Sequence, residues 1–345
     1  MTKIYNTSDT HKESNKNIGK TALKILIELI ILCFAIYDYI YISKIFLITP
    51  IIFLLSLIFL LISIYKRKIS FFIPLISLIL SCNFIGGLYH FNIKNKPHEA
   101  INGIKVATYN VHGFNHHEKS TILNVTNQLI VEKPQIVCLQ EFQGDIHKKE
   151  WDYIKKYFPY YAIENGKEDE NRLAIFSKYP IIEHEIIFKK NLNGAHYADI
   201  IINDLTVRVI DVHFQTTGIS QIINKGTDKI MSVSNFNRII RGKQAEYLAK
   251  YINSLQTPTI VCGDFNSTPL SYTYKIINHE LEDGYRKIGE KYPTSFNGFY
   301  QLLRIDYIFS STELECTKYY TVKSRLSDHY PVFSTLKLKW AYIAD

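Results

Sequence analysis

The chain has 345 residues, of which 47% are hydrophobic and 14% aromatic, and its formal net charge is +8. This composition excludes a disordered chain, and five cysteines in this length do not make a disulfide scaffold. The net charge alone would suggest a nucleic-acid partner. However, residues 1–98 hold eleven Lys/Arg and four Asp/Glu, a charge of +7, which leaves +1 for residues 99–345. The positive charge therefore belongs to the N-terminal quarter.

Residues 1–91 are predicted to form a cytoplasmic tail and a membrane anchor of about three transmembrane helices, over residues 23–43, 45–65 and 69–90. The second and third contain uncharged runs of 21 and 20 residues. A bilayer core needs about 20 apolar residues in a helix. The first contains Glu28 and Asp38, so an interfacial helix is the alternative there.

Lysines and arginines in short loops indicate the orientation of such an anchor. Residues 12–24 contribute four lysines, and residues 66–68 read Lys-Arg-Lys. Both segments are therefore predicted to lie in the cytoplasm. Three crossings would place the rest of the chain outside the cytoplasmic membrane, beyond a polar linker over residues 92–102. The expected location is a multi-pass membrane protein with an extracytoplasmic domain.

Strands and helices alternate from residue 103 onward, which predicts an α/β domain with mixed sheets over residues 103–345. The predicted strands are 105–110, 136–139, 173–176, 185–188, 206–213, 259–262, 306–309 and 331–338. The predicted helices are 118–132 and 237–254. Residues 215–236 carry no clear pattern, so a long loop and a partly helical insertion both stay open.

Acidic, amide and imidazole side chains stand where these strands end or begin. They are Asn110, Glu141, Asp211, His213, Asp264, Asn266, Asp306, Asp328 and His329. Ligands of α/β sheets collect at strand ends. Oxygen ligands without a cysteine suit Mg²⁺ or Mn²⁺, and histidines can donate to phosphate oxygens or move protons. The sequence has no Gly-rich phosphate loop and no G-x-S-x-G turn, so attack by metal-activated water is the simplest reaction.

Seven motifs, in this order, closely resemble the endonuclease/exonuclease/phosphatase superfamily of deoxyribonuclease I-like, metal-dependent phosphoesterases. They are Thr-Tyr-Asn-Val-His-Gly (108–113), Leu-Gln-Glu-Phe (139–142), Ala-Ile-Phe-Ser-Lys-Tyr-Pro-Ile (174–181), Asp-Val-His-Phe (211–214), Gly-Asp-Phe-Asn-Ser-Thr-Pro (263–269), Arg-Ile-Asp-Tyr-Ile-Phe (304–309) and Ser-Asp-His-Tyr-Pro-Val (327–332). The resemblance spans about residues 104–338. It implies a four-layer α/β sandwich, in which two mixed sheets face each other with helices outside. The anchor makes the chain similar to membrane-bound bacterial members.

The resemblance also implies the metal site. Glu141 matches the principal metal ligand, and Asn110 would contact the metal or a phosphate beside it. Asp328 and Asp264 would complete the metal environment. The implied cofactor is Mg²⁺ or Mn²⁺, and the sequence leaves open whether one ion or two are bound.

The catalytic roles that the resemblance implies fall on five matches, of which Asp264 is shared with the metal site. Asp264 would orient or deprotonate the attacking water, and Asn266 would fix that water and a phosphate oxygen. His329, oriented by Asp306, would stabilise charge on the phosphoryl oxygens, while His213 would lie near the phosphate or the leaving group. Asp211 is left open, because it could add charge to the metal site or hydrogen-bond a loop.

The leading hypothesis is a membrane-anchored, metal-dependent phosphoesterase that acts without a covalent intermediate. Its substrate could be a lipid head group, a small phosphoester or nucleic acid, so a nuclease and a sphingomyelinase-like phospholipase are both open. A near-neutral domain lacks the basic footprint of a tight DNA binder. The alternative of a different class is a binding module without catalysis. The expected partners are the phosphoester and the lipid bilayer; no obligate protein partner is inferred, and the oligomeric state stays open.

Overall fold

The computed structural model describes residues 20–21, 23–33, 49–66, 71–88, 103–116, 119–143, 148–166, 170–190, 193–218, 230–289, 292–298, 301 and 303–339. The chain divides into two units, Met1–Tyr89 and His90–Asp345. The predicted linker over residues 92–102 lies outside the described residues.

The first unit contains two long apolar helices, Thr49–Tyr65 and Phe72–Leu88, which pack against each other. Each has 17 residues, and residues 45–48, 69–70 and 89–90 of the predicted spans over 45–65 and 69–90 are not described. Residues 23–33 are also helical, whereas residues 34–43 of the first predicted span are not described. Within the described part of the chain, no helix combines the length and the apolarity needed to cross a membrane. The three predicted crossings are therefore not supported.

The second unit contains strands of two sheets and a short two-stranded hairpin. In chain order the strands are β1 (Ile104–Asn110), β2 (Asn115–His116), β3 (Lys119–Ser120), β4 (Ile136–Phe142), β5 (Tyr160–Ile163), β6 (Arg172–Ser177), β7 (Ile181–Lys190), β8 (Asn193–Ile202), β9 (Leu205–His213), β10 (Thr259–Asp264), β11 (Glu282–Asp283), β12 (Asp306–Ser310), β13 (Leu314–Thr321) and β14 (Val332–Leu338). The helices are Ile122–Glu132, Lys148–Tyr157, Ile230–Asn253, Tyr272–Glu280 and Gly284–Ile288.

Both six-stranded sheets are mixed. The first has the order β13-β14-β1-β4-β6-β5, and the second has the order β11-β12-β10-β9-β8-β7. The pairs β1–β4 and β9–β10 are parallel, and their neighbours are antiparallel. Each parallel pair needs a crossover connection, which the helices Ile122–Glu132 and Ile230–Asn253 supply.

The two sheets face each other across one apolar core. Val106 and Ile136 of the first sheet share a buried cluster with Val209 and Ile260 of the second. Two further clusters cover the outer faces, where helices pack on each sheet. Four layers result, so the predicted α/β sandwich of two facing mixed sheets flanked by helices is confirmed.

The strand directions bring several strand ends to one edge of the sandwich. In the first sheet, the carboxyl ends of β1 and β4 lie beside the start of antiparallel β6 and of antiparallel β14. In the second sheet, the carboxyl ends of β9 and β10 lie beside the start of antiparallel β12. This edge is where the polar residues of the predicted site stand.

Candidate active site

Three neighbouring strands of the second sheet present one polar side chain each. The register pairs Asp264 of β10 with His213 of β9 on one side and with Asp306 of β12 on the other. All three side chains are buried. The strand pairing therefore fixes their order along the edge. Gly263 permits this close pairing of β10 with β9. With a φ of 142°, any side chain at this position would collide with the carbonyl of Val212 on β9.

The first sheet contributes an amide and a carboxylate from its parallel pair. Asn110 ends β1, and its neighbour in the register is Gln140 of β4, the residue before Glu141. The pairing of β4 with β6 shifts between Leu139 and Phe142, and Glu141 at this irregularity has a φ of 53°. Left-handed backbone is costly for a residue other than glycine, and such strain is concentrated at functional sites. The bulge directs the Glu141 carboxylate toward Asn110.

Oxygen Oδ2 of Asp264 is the common neighbour of the site. It accepts hydrogen bonds from Nδ2 of Asn110 at 3.1 Å and from Nδ2 of Asn266 at 3.3 Å. The Nε2 atoms of His213 and His329 each lie 3.7 Å from the same oxygen. Side chains from both sheets therefore meet at one carboxylate.

Asn266 is held in place by its own backbone and by the loop after β9. Its N–H donates to Oδ1 of Asp264 at 2.8 Å, which closes a short turn and allows a φ of 48°. Its side-chain Nδ2 also donates to the carbonyl of Phe214 at 3.1 Å.

His329 and Asp306 form a buried pair. Nδ1 of His329 lies 2.9 Å from Oδ2 of Asp306, and the backbone N–H of Asp306 donates to Oγ of Ser295. Burial raises the pKa of Asp306 to about 6, against the opposing effect of the His329 charge. Burial alone would lower the pKa of His329, but the carboxylates of Asp306 and Asp264 raise it well above its ordinary value. Both shifts favour keeping one proton within the pair.

The Glu141 carboxylate is supported by two residues that the sequence did not indicate, Asn171 directly and Gln143 through Asn171. Nδ2 of Asn171 donates to Oε2 of Glu141 at 3.2 Å, while Nδ2 of Asn110 donates to Oε1 at 3.0 Å. Nε2 of Gln143 in turn donates to Oδ1 of Asn171. Asn171 directly precedes β6, which runs antiparallel to β4 and so begins at the site edge. It stands two residues before the predicted strand over 173–176, a position comparable to that of His329 before 331–338.

Asp328 lies at the rim rather than in the buried centre. Its side chain is 39% exposed, and Oδ1 lies 3.7 Å from Nδ1 of His112. The same His112 nitrogen lies 3.7 Å from Oε2 of Glu141. Oγ of the neighbouring Ser327 donates to the carbonyl of Asn110, which ties this segment to β1. Asp328 therefore approaches the first-sheet carboxylate through His112.

Asp211 lies between the sheets, two residues before His213 on β9. Nε2 of Gln140 donates to its Oδ1 at 2.6 Å, and Oδ2 is buried without a hydrogen-bond partner. Burial raises the pKa of Asp211 well above its ordinary value, which favours the neutral carboxyl form. Of the two roles left open for Asp211, the structure gives a hydrogen bond, but to strand β4 rather than to a loop.

The donor set fits a hard divalent cation. Among the described residues, Asp264, Asp306 and His329 are the group of three whose ligand atoms lie within 4.8 Å of one another. Asp306 and His329 already bind each other, however, and Mg²⁺ prefers oxygen ligands and keeps several waters. The oxygen-rich side, where Glu141 and Asp264 flank Asn110, could therefore hold such an ion. The partly exposed Glu141 leaves room for water there.

The architecture and the carboxylate, amide and histidine set define a hydrolase of phosphate esters. The sequence profile of the Endonuclease/Exonuclease/phosphatase family matches residues 107–329, and the chain belongs to this family. Comparison with curated protein sequences gives no significant match.

Solved structures share the fold at low sequence identity. A humanized D. rerio TDP2 aligns with a TM-score of 0.54 and 16% identity, over 69% of this chain and 100% of its own. An endonuclease/exonuclease/phosphatase from Bacteroides vulgatus gives 0.53 and 17%, over 69% and 99%. The human Nocturnin catalytic domain, solved with a bound sulfate anion, gives 0.51 and 15%, over 70% and 96%.

Proposed function

We propose that the chain is a divalent-metal-dependent phosphoesterase in which water attacks phosphorus directly, without a covalent intermediate. The observation that carries this proposal is the convergence of Asn110, Asn266, His213 and His329 on one oxygen of Asp264. Two hydrogen-bond donors and two imidazoles around one carboxylate can bind a tetrahedral anion and hold a water beside it. Phosphoryl transfer depends mainly on such positioning and charge stabilisation.

The metal ion, bound by Glu141 and Asp264 beside Asn110, would supply positive charge to the phosphoryl oxygens. Asp264 orients the attacking water and accepts its proton. Asn266, whose side-chain amide donates to Asp264, holds that carboxylate toward the water.

The buried pair of His329 and Asp306 supplies a protonated imidazole to the site. His329, kept protonated by Asp306, donates a hydrogen bond to the phosphoryl oxygens as their charge grows. His213, on the other side of Asp264, lies where it can contact a second phosphate oxygen or the leaving group. Among the described residues, Cys138 and Cys262 are buried within strands, so neither is placed to act as a nucleophile.

The experiment is a phosphoester panel with the full-length protein. It compares bis-p-nitrophenyl phosphate, p-nitrophenyl phosphate, plasmid DNA, RNA and phospholipid or sphingomyelin vesicles, each with Mg²⁺, with Mn²⁺ and with EDTA. We expect hydrolysis of at least one class with metal and none with EDTA. In ¹⁸O-labelled water, a single turnover should place the label in the phosphate product. Failure of every substrate, or hydrolysis unaffected by EDTA, would refute the proposal.

Among the substrate classes we favour a lipid head group or a small phosphoester over nucleic acid. The support is the charge of +1 on residues 99–345, because affinity for a polyanion comes mostly from lysines and arginines at the phosphates. Rapid cleavage of plasmid DNA with no cleavage of lipid or small phosphoesters would reverse this preference.

We further propose that the first unit associates with lipid. Support comes from the distribution of its side chains: Leu61 and Ile79 are 58% and 61% exposed, whereas Ser63 and Ser77 are fully buried. The buried Glu28 pairs with Lys24 at 3.0 Å. Apolar surfaces outside and polar groups inside suit an apolar surrounding. The full-length protein should stay in the membrane fraction after carbonate washing and leave it with detergent.

An extracytoplasmic catalytic unit remains a prediction from the lysine and arginine pattern of residues 12–24 and 66–68. Protease added to intact spheroplasts should digest the catalytic unit if it lies outside. Protection until the spheroplasts are lysed would place it in the cytoplasm instead.

A further inference from the structure

The helix Ile230–Asn253 binds the described part of the loop after β9 at Thr217, through Nδ2 of Asn237, and above all at Gln215. The backbone N–H of Gln215 donates to Oε1 of Gln244 at 2.9 Å. Its carbonyl accepts from Nη1 of Arg241, also at 2.9 Å. Both helix side chains are more than nine-tenths buried. One turn of helix therefore satisfies both backbone groups of Gln215.

Phe214, the residue before Gln215, is likewise bound through both of its backbone groups, by Asp264 and Asn266. The N–H of Phe214 donates to the carbonyl of Asp264 at 2.9 Å, and its carbonyl accepts from Nδ2 of Asn266 at 3.1 Å. Phe214 itself directly follows His213. Two consecutive peptide units thus connect the helix to three residues of the site.

The Gln215 side chain extends this contact. Its Oε1 accepts from Asn193 of β8 at 3.2 Å, and its Nε2 donates to Asn237 on the same helix at 3.4 Å. Burial lowers the pKa of Arg241 to about 10, so its guanidinium keeps its charge at neutral pH. A charged donor makes a stronger hydrogen bond to a carbonyl than a neutral one does.

We infer that Arg241 and Gln244 are positioning residues of the hydrolytic site, which set the place of His213 and Asn266 by fixing the backbone of Phe214 and Gln215. Neither side chain needs to touch the substrate for this role. The inference rests on the proposed function, because positioning matters only if His213 and Asn266 act on a phosphoester. Displacing a catalytic group by about 1 Å can cost about 10²-fold in rate.

At each of the two positions, one substitution removes the hydrogen-bonding group and another keeps such a group. Gln244→Leu removes the acceptor for the Gln215 N–H, whereas Gln244→Glu keeps one. Arg241→Ala removes the donor, whereas Arg241→Lys keeps a cationic one. Lys243→Gln is the matched control, since Lys243 is exposed on the same helix turn.

The first readout is steady-state hydrolysis of bis-p-nitrophenyl phosphate by the full-length protein. We expect Gln244→Leu and Arg241→Ala to lower kcat by about 10²-fold with KM nearly unchanged. Gln244→Glu and Arg241→Lys should recover part of the loss, and Lys243→Gln should match the wild type. Wild-type kcat in both Gln244→Leu and Arg241→Ala would overturn the inference.

The second readout is hydrogen–deuterium exchange, which needs no activity. The peptide amides of Phe214 and Gln215 should exchange about tenfold faster or more in Gln244→Leu, with the rest of β9 and β10 unchanged. Faster exchange throughout both strands would show a loss of general stability and would also overturn the inference. If the wild type hydrolyses no phosphoester, the proposed function fails, and unchanged exchange in Gln244→Leu would separately refute the positioning.

Discussion

The imidazole Nδ1 of His329 lies 2.9 Å from Oδ2 of Asp306, and both side chains are buried. This contact leaves Nε2 of His329 as the nitrogen that faces Asp264. The pair joins the two sheets, because Asp306 begins β12 of the second sheet and His329 precedes β14 of the first. The Asp306 carboxylate therefore fixes the orientation of the histidine and, together with that of Asp264, supports its charge.

Replacing that carboxylate should impair catalysis more than binding. In Asp306→Asn the amide can still contact Nδ1 but no longer stabilises the protonated imidazole, so we expect kcat to fall by about 10²–10⁴-fold, the usual contribution of a proton-transfer group. KM should change little. Steady-state kinetics with Mg²⁺ on a small phosphodiester measure both values.

Asp199→Asn is the control for this change. Asp199 is also mostly buried, but its carboxylate binds Arg208 rather than a site residue. It should keep near-wild-type kcat. Equal losses in the two variants would mean that the effect of Asp306→Asn is structural, and would contradict the role given to the pair.

Removing the charge of Glu141 should abolish metal-dependent turnover. Glu141→Gln keeps the size of the side chain and one oxygen, but it loses the negative charge that a hard cation requires. We expect activity to fall by about 10³-fold or more, consistent with loss of the main charge stabilisation. Calorimetric titration with Mg²⁺ should show weakened binding in the same variant. Glu185→Gln, on exposed β7, is the control, and wild-type Mg²⁺ binding in Glu141→Gln would refute the assignment.

The pH dependence of stability should change when Asp211 becomes an amide. Because burial raises the folded-state pKa of Asp211, its contribution to stability is complete below the unfolded pKa and is lost as the pH rises through the folded pKa. Asp211→Asn stays neutral and keeps the oxygen that accepts from Gln140. Its melting temperature should therefore exceed that of the wild type at pH 7–8 by an amount that shrinks toward pH 4. Each kcal/mol of change in the free energy of unfolding shifts the melting temperature by about 2–4 °C.

A constant difference between the two melting curves across this pH range would contradict the buried neutral carboxyl. The same variant also tests the function of Asp211. Since its bond runs to Gln140 and not to the oxygen-rich centre, kcat should stay within a few-fold of the wild type.

The segment that carries Asp306 is anchored by a buried ion pair. Arg304 is 1% exposed and binds Asp283 through Nη1 at 2.8 Å. Its guanidinium carbon lies 4.7 Å and 4.6 Å from the ring centroids of Tyr285 and Tyr307. Arg304→Met leaves Asp283 as an unpaired buried charge, so we expect a loss of about 3–5 kcal/mol in the free energy of unfolding.

The double variant Arg304→Met/Asp283→Asn removes both charges and should lose less than Arg304→Met alone. Urea unfolding followed by tyrosine fluorescence measures both. A double variant less stable than Arg304→Met would show that the aromatic contacts of Arg304 outweigh its ion pair.

A simple geometric rule allowed the sequence to predict which polar residues lie at one edge of the sandwich. Parallel strands end on the same side of a sheet, and Asn110, Glu141, His213 and Asp264 all stand at or just after such ends. Hydrophobic runs located those ends to within three residues, since the predicted strand over 136–139 continues to Phe142. The family, the hydrolase class and the sandwich were predicted from the same motifs and are confirmed.

Partners across the sheets were harder to predict. Asn171 contacts Glu141 only because β6 runs antiparallel to β4, a pairing that the hydrophobic pattern does not contain. Asp211 meets Gln140 only because the two sheets face each other. β8, with buried polar residues such as His196, was not predicted at all.

The catalytic centre is divided between the two sheets, with Asn110 and Glu141 on one and His213 and Asp264 on the other. Neither sheet alone contains all of these groups. On the proposed function, hydrolysis therefore requires both sheets to be packed together and the segment carrying His329 to be in place. Turnover would then report the packing of the two sheets as well as the chemistry of the site.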